Sequence, residues 1–176
     1  HIVSEKISKS VCEYLNNLGF ETKFFCDNGV LDDRYLAYLA GLGVYGKNGL
    51  LINKKYGSYT FIGYIITDFK VQRGTRQKGS CAKCGRCIQS CPGGAISEMG
   101  ICYEKCASYI SQKKGELSSE EADILKKSGY VWGCDICQEV CPHNASAECT
   151  EIEDFTNDLI LILENEDLSN RKFMNK

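Results

Sequence analysis

Cysteine is the residue type in this chain best suited to chemistry, with twelve copies in 176 residues. Eight of the twelve fall into two closely spaced groups that each end in Cys-Pro: Cys81, Cys84, Cys87 and Cys91, then Cys106, Cys134, Cys137 and Cys141. The chain has two prolines, Pro92 and Pro142, and each directly follows the last cysteine of a group. Such tight spacing in a chain of this length favours metal or cluster binding over disulfides.

The first group has the spacing C-x-x-C-x-x-C-x-x-x-C-P, which in bacterial ferredoxins binds two [4Fe–4S] clusters. Three thiolates wrap a loop around one cubane, and the fourth, one helical turn further on, faces the other cubane. We therefore predict two [4Fe–4S] clusters whose ligands cross between the groups. The predicted sets are Cys81, Cys84, Cys87 and Cys141 for the first cluster, and Cys91, Cys106, Cys134 and Cys137 for the second.

Other interpretations of these cysteines stay open at this point. Paired C-x-x-C motifs also suit two zinc sites, although the third cysteine and the trailing Cys-Pro favour cubanes. Cys102 competes with Cys106 as a ligand, and we prefer Cys106 because "YEKCASYI" is typical of a helix. His143 either tunes the cluster beside it or is a surface histidine. The other cysteines are expected to be small thiols: Cys12, Cys26, Cys102 and Cys149.

Charge is unevenly distributed along the chain although its formal net value is only −2. Basic residues accumulate between Asp68 and Glu98, and acidic residues accumulate after Lys127. The basic stretch, residues 70–86, could contact nucleic-acid phosphates or offset the charge of a thiolate-ligated cluster. No apolar run reaches the length of a membrane span and no export signal is visible, so we expect a cytoplasmic protein without a membrane partner.

The stretch "AGLGVYGKNGLL" (40–51) resembles two nucleotide-binding motifs, and its context fits neither. A dinucleotide fingerprint follows a strand and opens a helix, whereas here a helix precedes the glycines and a strand follows. A phosphate-binding loop needs Ser or Thr where Asn48 stands. The glycines are therefore expected to allow a tight turn or a close approach to something large and flat.

Hydrophobic periodicity predicts mixed secondary structure before the cysteines. Helices are expected over 2–18 and 31–40, and strands over 22–26, 49–53 and 60–67. We predict an α+β protein with three parts: residues 1–70 form an α/β region, 71–147 a double [4Fe–4S] ferredoxin-like domain, and 148–176 an acidic C-terminal helical segment.

The glycine stretch, the "YGS" turn, the two cysteine groups in order and the phrases "CASYISQKKGEL" and "GCDICQEVCPHN" together resemble the epoxyqueuosine reductase family. The resemblance covers residues 27–144. It implies a cobalamin-dependent, double-[4Fe–4S] oxidoreductase that reduces epoxyqueuosine to queuosine in tRNA. It also implies that residues 1–70 are part of a nitroreductase-like α/β corrinoid-binding region. Because the chain starts at His1 and the family extends further at both ends, we expect a piece of a longer protein.

The resemblance assigns roles to residues outside the clusters. Asp27 aligns with the family's proposed proton donor, although the turn signature "DNG" also suits a purely structural aspartate. The residues implied to contact cobalamin are Gly41, Gly43, Gly46, Lys47, Asn48 and Ser58. Implied partners are tRNA and an electron donor such as flavodoxin or ferredoxin.

Two other functions compete with this one. The chain could be a stand-alone two-cluster ferredoxin-type electron-transfer protein, or a corrinoid reductase that acts on a small molecule. At this point both tRNA and small-molecule substrates stay open.

Overall fold

The computed structural model describes residues 2–27, 29–72, 74–75 and 77–155. Its helices are α1 (Ile2–Asn17), α2 (Asp33–Leu39), α3 (Arg86–Gln89), α4 (Ala107–Ser111), α5 (Ser119–Ser128) and α6 (Ile136–Glu139). Its strands are β1 (Thr22–Cys26), β2 (Val44–Tyr45), β3 (Leu51–Ile52), β4 (Gly63–Thr67), β5 (Ile96–Ser97) and β6 (Gly100–Ile101). Among the described residues, no helix has both the length and the hydropathy that crossing a membrane requires.

The N-terminal half is built on an antiparallel pair of strands covered by a helix. β1 pairs with β4 in a register that runs from Thr22 opposite Thr67 to Cys26 opposite Gly63, and α1 packs against both strands. β1 has the predicted bounds, and α1 ends one residue before the predicted helix. β4 begins three residues later than predicted, because β1 ends at Cys26 and pairs no further than Gly63.

Gly41 ends the second helix. It has φ +80°, donates to the Tyr38 carbonyl, and is followed by Leu42, which donates to the Ala37 carbonyl. These two bonds form a Schellman motif, in which a glycine in the left-handed conformation closes the last helical turn. The helix-before-glycine context predicted from the sequence is therefore confirmed, and β3 follows as expected. The two-residue strand β2, which pairs with β3, was not predicted.

The cysteine-rich half has a small apolar core between α4 and α5. Ala107, Ile110 and Ile124 are buried there, and Leu125 and Cys134 pack against them. α5 begins with a capping box, in which the Ser118 hydroxyl accepts from the Glu121 backbone and the Glu121 carboxylate accepts from the Ser118 backbone. Neither α5 nor the β5–β6 hairpin was predicted from the sequence.

Some of the predicted features lie outside the described residues. These are Arg73 and Arg76 of the basic stretch and residues 156–176, which make up most of the predicted C-terminal segment. Within the described part of that segment, Glu153–Phe155 form a 3₁₀ turn. Phe155 stacks on Phe61, with ring centroids 5.4 Å apart.

Candidate iron–sulfur centres and an adjoining cavity

A first cavity is formed where the loop between Cys81 and Cys87 meets the chain around Cys141. Four thiols line it, three from the first cysteine group and one from the second: Cys81, Cys84, Cys87 and Cys141. Short helices bring them together, because Cys87 lies on α3 and Cys141 follows α6, and α3 packs against α6. Burial, assisted by the neighbouring Cys81 sulfur, raises the pKa of Cys87.

A second cavity, of about 340 Å³, is lined by the other four thiols of the two groups: Cys91, Cys106, Cys134 and Cys137. Each cavity therefore combines three cysteines that belong to one sequence region with one from the other. Cys106 stands at the junction of a 3₁₀ turn and α4, rather than inside the predicted helix. Its competitor Cys102 is exposed, and its thiol donates to the Glu104 carboxylate at 3.3 Å.

The thiols of the second cavity lie close enough to influence one another's protonation. Burial raises the pKa of Cys134, and the nearby Cys106 and Cys91 sulfurs raise it further. Burial raises the pKa of Cys137 to about 12, despite a hydrogen bond from Asn48 that favours the thiolate. Thiols in such a site release their protons when a metal centre binds, since the thiolate is the ligand.

All twelve cysteines are free thiols, and each of them lies in the described part of the chain. Of the four not assigned to clusters, Cys12 is buried in α1, Cys26 is half-buried at the end of β1, and Cys102 and Cys149 are exposed. Within the described ranges, no three His, Cys, Asp or Glu side chains converge as they would on a single metal ion.

Asn48 lies between the two thiol cavities and lines both. Its side chain is buried, and its amide nitrogen donates to the Cys137 carbonyl at 3.4 Å. Asn48 belongs to the N-terminal half, so this contact joins the two halves. It does so at the residue that the linings of the two cavities share. The sequence singled Asn48 out, but as a cobalamin contact.

A third cavity, of about 720 Å³, adjoins the second and contains Asp27. Three residues, Arg34, Leu50 and Ser108, line both of them. Arg34 is fixed by donation to the Gly49 carbonyl at 3.0 Å. The rest of the lining is mixed, with apolar and polar side chains: Gly29, Leu31, Asp32, Asp33, Leu51, Ser58, Thr60, Phe61 and Ile62.

Asp27 occupies a constrained position at the edge of this cavity. It has φ +62°, an uncommon backbone conformation for a residue with a Cβ atom, and its N–H donates to the Asp33 carboxylate at 3.2 Å. The following loop is held by Tyr64, whose hydroxyl accepts from the Leu31 N–H at 3.3 Å. Strained backbone of this kind is found disproportionately at functional sites.

The structure gives internal partners to most of the residues implied to contact cobalamin. Of those six, all of them described, Ser58 alone lines the Asp27 cavity. A Cβ atom on Gly43 would lie 2.7 Å from the Ile52 carbonyl oxygen, so that glycine allows close packing against β3. Gly46 is likewise crowded by the Asn48 side chain, and Lys47 forms an ion pair with Glu98. Whether any of the six contacts cobalamin stays a prediction.

A polar network joins Ser58 to the cysteine-rich half. The Ser58 N–H donates to the Asn144 side-chain oxygen at 2.7 Å, and the Ser58 hydroxyl donates to Gln138 at 2.8 Å. The Asn144 amide donates in turn to the Ser58 hydroxyl at 2.9 Å and to the Gln138 carbonyl at 2.8 Å. His143, next to Asn144, accepts from the Ala82 N–H at 3.2 Å and lines the first cavity. No local pattern could reveal the contacts of Gln138 and Asn144 with Ser58, since Ser58 is 80 and 86 positions away from them.

Comparison with known proteins agrees with this architecture. Residues 80–144 match the family described as a 4Fe-4S double cluster binding domain. An epoxyqueuosine reductase from Lactococcus garvieae is 36% identical over 185 residues, which cover 100% of this chain and 51% of that protein. The solved epoxyqueuosine reductase from Streptococcus thermophilus has a TM-score of 0.75 and 35% identity over 82% of this chain and 39% of its own. An epoxyqueuosine reductase solved with an epoxyqueuosine-modified stem loop of tRNA-Tyr has a TM-score of 0.78 and 30% identity, over 85% and 40% of the respective chains.

The fold and the paired thiol cavities define a double-cluster iron–sulfur protein with an attached helix-and-strand half. Together with these similarities, they show that the chain belongs to the epoxyqueuosine reductase family. The chain spans about half the length of the curated relative from Lactococcus garvieae.

Proposed function

We propose that this chain is part of a cytoplasmic, cobalamin-dependent iron–sulfur reductase that converts epoxyqueuosine to queuosine in tRNA. The observation that carries the proposal is the succession of three adjoining cavities. Asn48 is shared by the first and second, and Arg34, Leu50 and Ser108 by the second and third. Two cluster sites in contact form an electron route, and this route leads to a large cavity that contains an acidic side chain.

The residues of the first two cavities fit [4Fe–4S] clusters. Each cavity offers four thiols, the number that a cubane takes from protein, and the spacing of the first group is that of two-cluster ferredoxins. We assign the first cluster to Cys81, Cys84, Cys87 and Cys141, and the second to Cys91, Cys106, Cys134 and Cys137. In this assignment the second cluster is the one next to the Asp27 cavity.

The third cavity is a fitting site for part of a corrinoid within a nitroreductase-like region. Its volume of about 720 Å³ lies within the usual range for cofactor sites, and it pairs apolar side chains such as Leu51 and Phe61 with polar groups. Thr60 would hydrogen-bond the polar edge of the ring, and Ser58, whose hydroxyl already bonds Gln138 and Asn144, would line it. When bound, cobalamin would supply the low-potential metal chemistry that takes electrons from the second cluster to the substrate.

Asp27 supplies a proton in this proposal. Reducing an epoxide to an alkene consumes two electrons and two protons and releases one water. A carboxylic acid at the cavity edge can give a proton to the departing oxygen, which is general acid catalysis. The contacts of the loop with Asp33 and Tyr64 hold the backbone of Asp27 in place for that transfer.

Three measurements test the proposed function. Anaerobic reconstitution should load about eight irons per chain, whereas two zincs would overturn the cluster assignment. Titration with cobalamin should shift its visible spectrum if the third cavity binds it, and an unshifted spectrum would favour a plain electron carrier. Assay of tRNA that carries epoxyqueuosine, against the free nucleoside, separates a tRNA substrate from a small-molecule one.

Asp27→Asn tests the proton donor. The variant should bind cobalamin and accept electrons as the parent chain does, and it should lose about 10²-fold or more in turnover, because it lacks the acidic proton. Glu21→Gln, a change of the same type at an exposed position just before β1 and outside the three cavities, serves as the control for a lost charge. Normal turnover by Asp27→Asn would remove Asp27 from the mechanism.

A further inference from the structure

One thiol that lines the first cavity, that of Cys84, belongs to an exposed residue. Of the eight cysteines assigned to clusters, all of them described, Cys84 alone is exposed and the other seven are half-buried. The second cavity borders the Asp27 cavity, whereas the first is lined by the exposed loop around Cys84. Cys84 therefore marks the end of the cluster pair that a partner protein can approach most closely.

The surface around Cys84 is positively charged. Lys78, Lys83 and Arg86 are exposed, and none of the three forms an ion pair with a described residue. No acidic residue occurs in the sequence between Asp68 and Glu98. The charge of these three side chains is therefore available to a partner rather than neutralised within the described part of the fold.

Lys83 has a long basic side chain at a position whose left-handed backbone conformation favours glycine. It has φ +52° and lies in the loop between Cys81 and Cys84. Residues with a Cβ atom adopt this conformation at a cost, and glycine does so freely. A lysine at this point puts a positive charge one residue from the exposed cluster ligand, which is a placement that electrostatic steering would use.

We propose that the surface formed by Lys78, Lys83, Cys84 and Arg86, the Cys84 surface, is the docking site of an acidic one-electron carrier protein. This inference rests on the proposed function, because it takes the cysteines as cluster ligands. In the step itself, the carrier would lose one electron, and a [4Fe–4S]²⁺ cluster held by the four thiols of the first cavity would gain it. No bond is made or broken and no proton moves. Two such steps supply the two electrons that the reduction of one epoxide consumes.

An RNA backbone is the other macromolecule that basic side chains could attract. The geometry favours the electron carrier, because these charges surround an exposed cluster ligand of the first cavity. An RNA substrate must instead bring its modified base to the Asp27 cavity, which adjoins the second.

The test measures how fast photoreduced flavodoxin, an acidic one-electron carrier, reduces the reconstituted full chain. The rate is measured in a stopped-flow instrument as the loss of cluster absorbance. Lys78→Glu/Arg86→Glu should slow this reduction by about tenfold or more at low salt, and added salt should shrink the difference. Lys83→Glu should act in the same direction. The matched control, Lys114→Glu/Lys127→Glu, makes the same charge change at exposed positions elsewhere and should match the parent chain.

Two further readouts separate docking from damage to the clusters. Every variant should have the same iron content as the parent chain. Methyl viologen radical, a small cation that needs no protein docking site, should reduce every variant at least as fast as it reduces the parent chain. Carbodiimide should cross-link Lys78 or Lys83 of the parent chain to flavodoxin carboxylates, as mapped by mass spectrometry.

The proposal would be overturned if the rate of reduction by flavodoxin and the cross-links were unchanged in the basic-to-acidic variants. Weakened tRNA binding in the same variants would instead assign the Cys84 surface to RNA. Because none of these readouts requires cobalamin or turnover, the proposed enzymatic function can fail while the docking proposal stands. Conversely, a parent chain that holds no iron would identify the failure as one of the proposed function.

Discussion

At the scale of single residues, Asn48 links the two thiol cavities with one side chain. It is buried, lines both cavities, and its amide donates to the backbone of Cys137 and hydrogen-bonds the thiol. Hydrogen bonds to cluster sulfurs raise the reduction potential, because they stabilise the more negative reduced state. Asn48 is therefore in a position to set how readily the second cluster accepts an electron.

Asn48→Ala tests this role. Removal of the amide should make the reduction potential of the second cluster more negative, since the reduced state loses a donor. Anaerobic redox titration followed by electron paramagnetic resonance measures the potential directly. Asn16→Ala, at an exposed position on α1, should leave both potentials unchanged. Equal potentials in Asn48→Ala and the parent chain would limit Asn48 to a packing role.

The grouping of eight cysteines around two cavities could be predicted from the sequence because their spacing is local and geometric, and their role as cluster ligands stays a prediction. The part played by Asn48 could not be predicted, because its partner Cys137 lies 89 positions away. Gly41 shows the opposite case. A glycine at the end of a helical pattern is readable as a C-cap, but its resemblance to nucleotide-binding motifs hides that simpler role.

At the scale of elements, α5 supports the wall of the second cavity. Ile124 packs with Ala107 and Ile110 in the core against which Cys134 lies. The helix depends on its N-terminal capping box, because the first turn has backbone donors with no partners inside the helix. The pKa of Glu121 is lowered, first by its bond with Lys113 and then by the Ser118 N–H.

Ser118→Ala should reduce the free energy of unfolding by about 1 kcal/mol, because it removes the N-cap acceptor. Urea unfolding of the cluster-loaded chain followed by circular dichroism measures this loss. Ser119→Ala, one residue further along, is the matched control and should cost much less. Since the Glu121 pKa is lowered on folding, its contribution is present above the ordinary carboxyl range and is lost as pH falls through the lowered value.

Elements with clear periodicity were predictable, and most of the two-residue strands were not. β1 has an alternating residue pattern flanked by turn signals, and it was predicted with its correct bounds. β2, β5 and β6 have two residues each and leave no periodic signal. α5 has the sequence of a capping box at Ser118 and Glu121, and that signal could have revealed it. Its few apolar positions obscured the helical pattern.

At the scale of the whole molecule, a set of polar contacts joins the two halves. The Ser58, Gln138 and Asn144 network and the contact of Asn48 with Cys137 cross between them. Such a network fixes orientation well, because each bond requires one geometry. The sequence could predict that both halves exist, but not how they meet, since these contacts join residues that have no local pattern.

Asn144→Ala should lower the free energy of unfolding by about 1–3 kcal/mol, because the Ser58 N–H and hydroxyl both lose a partner in a largely enclosed site. A double-mutant cycle with Ser58→Ala should show a non-additive effect, since the two residues share hydrogen bonds. Thermal unfolding of the loaded chains provides the measurement. Additive losses would mean that the network does not act as a unit.

Cys91→Ser tests how the two cysteine groups are shared. Although Cys91 belongs to the first group, it lines the second cavity, so its loss should alter the paramagnetic signal of the second cluster and spare the first. Cys87→Ser should have the opposite effect, because Cys87 lines the first cavity. The same signal lost in both variants would contradict the crossed assignment.

In the proposed assignment, the exchange of Cys91 and Cys141 between the two groups also makes the completion of each centre depend on the folding of the other segment. Neither cubane can be completed during synthesis until residues 81–91 and 134–141 have both emerged and met. Oxygen damage that strips iron from one centre would loosen a segment that also carries a thiol of its neighbour, so we expect iron to leave the second centre faster than it left the first.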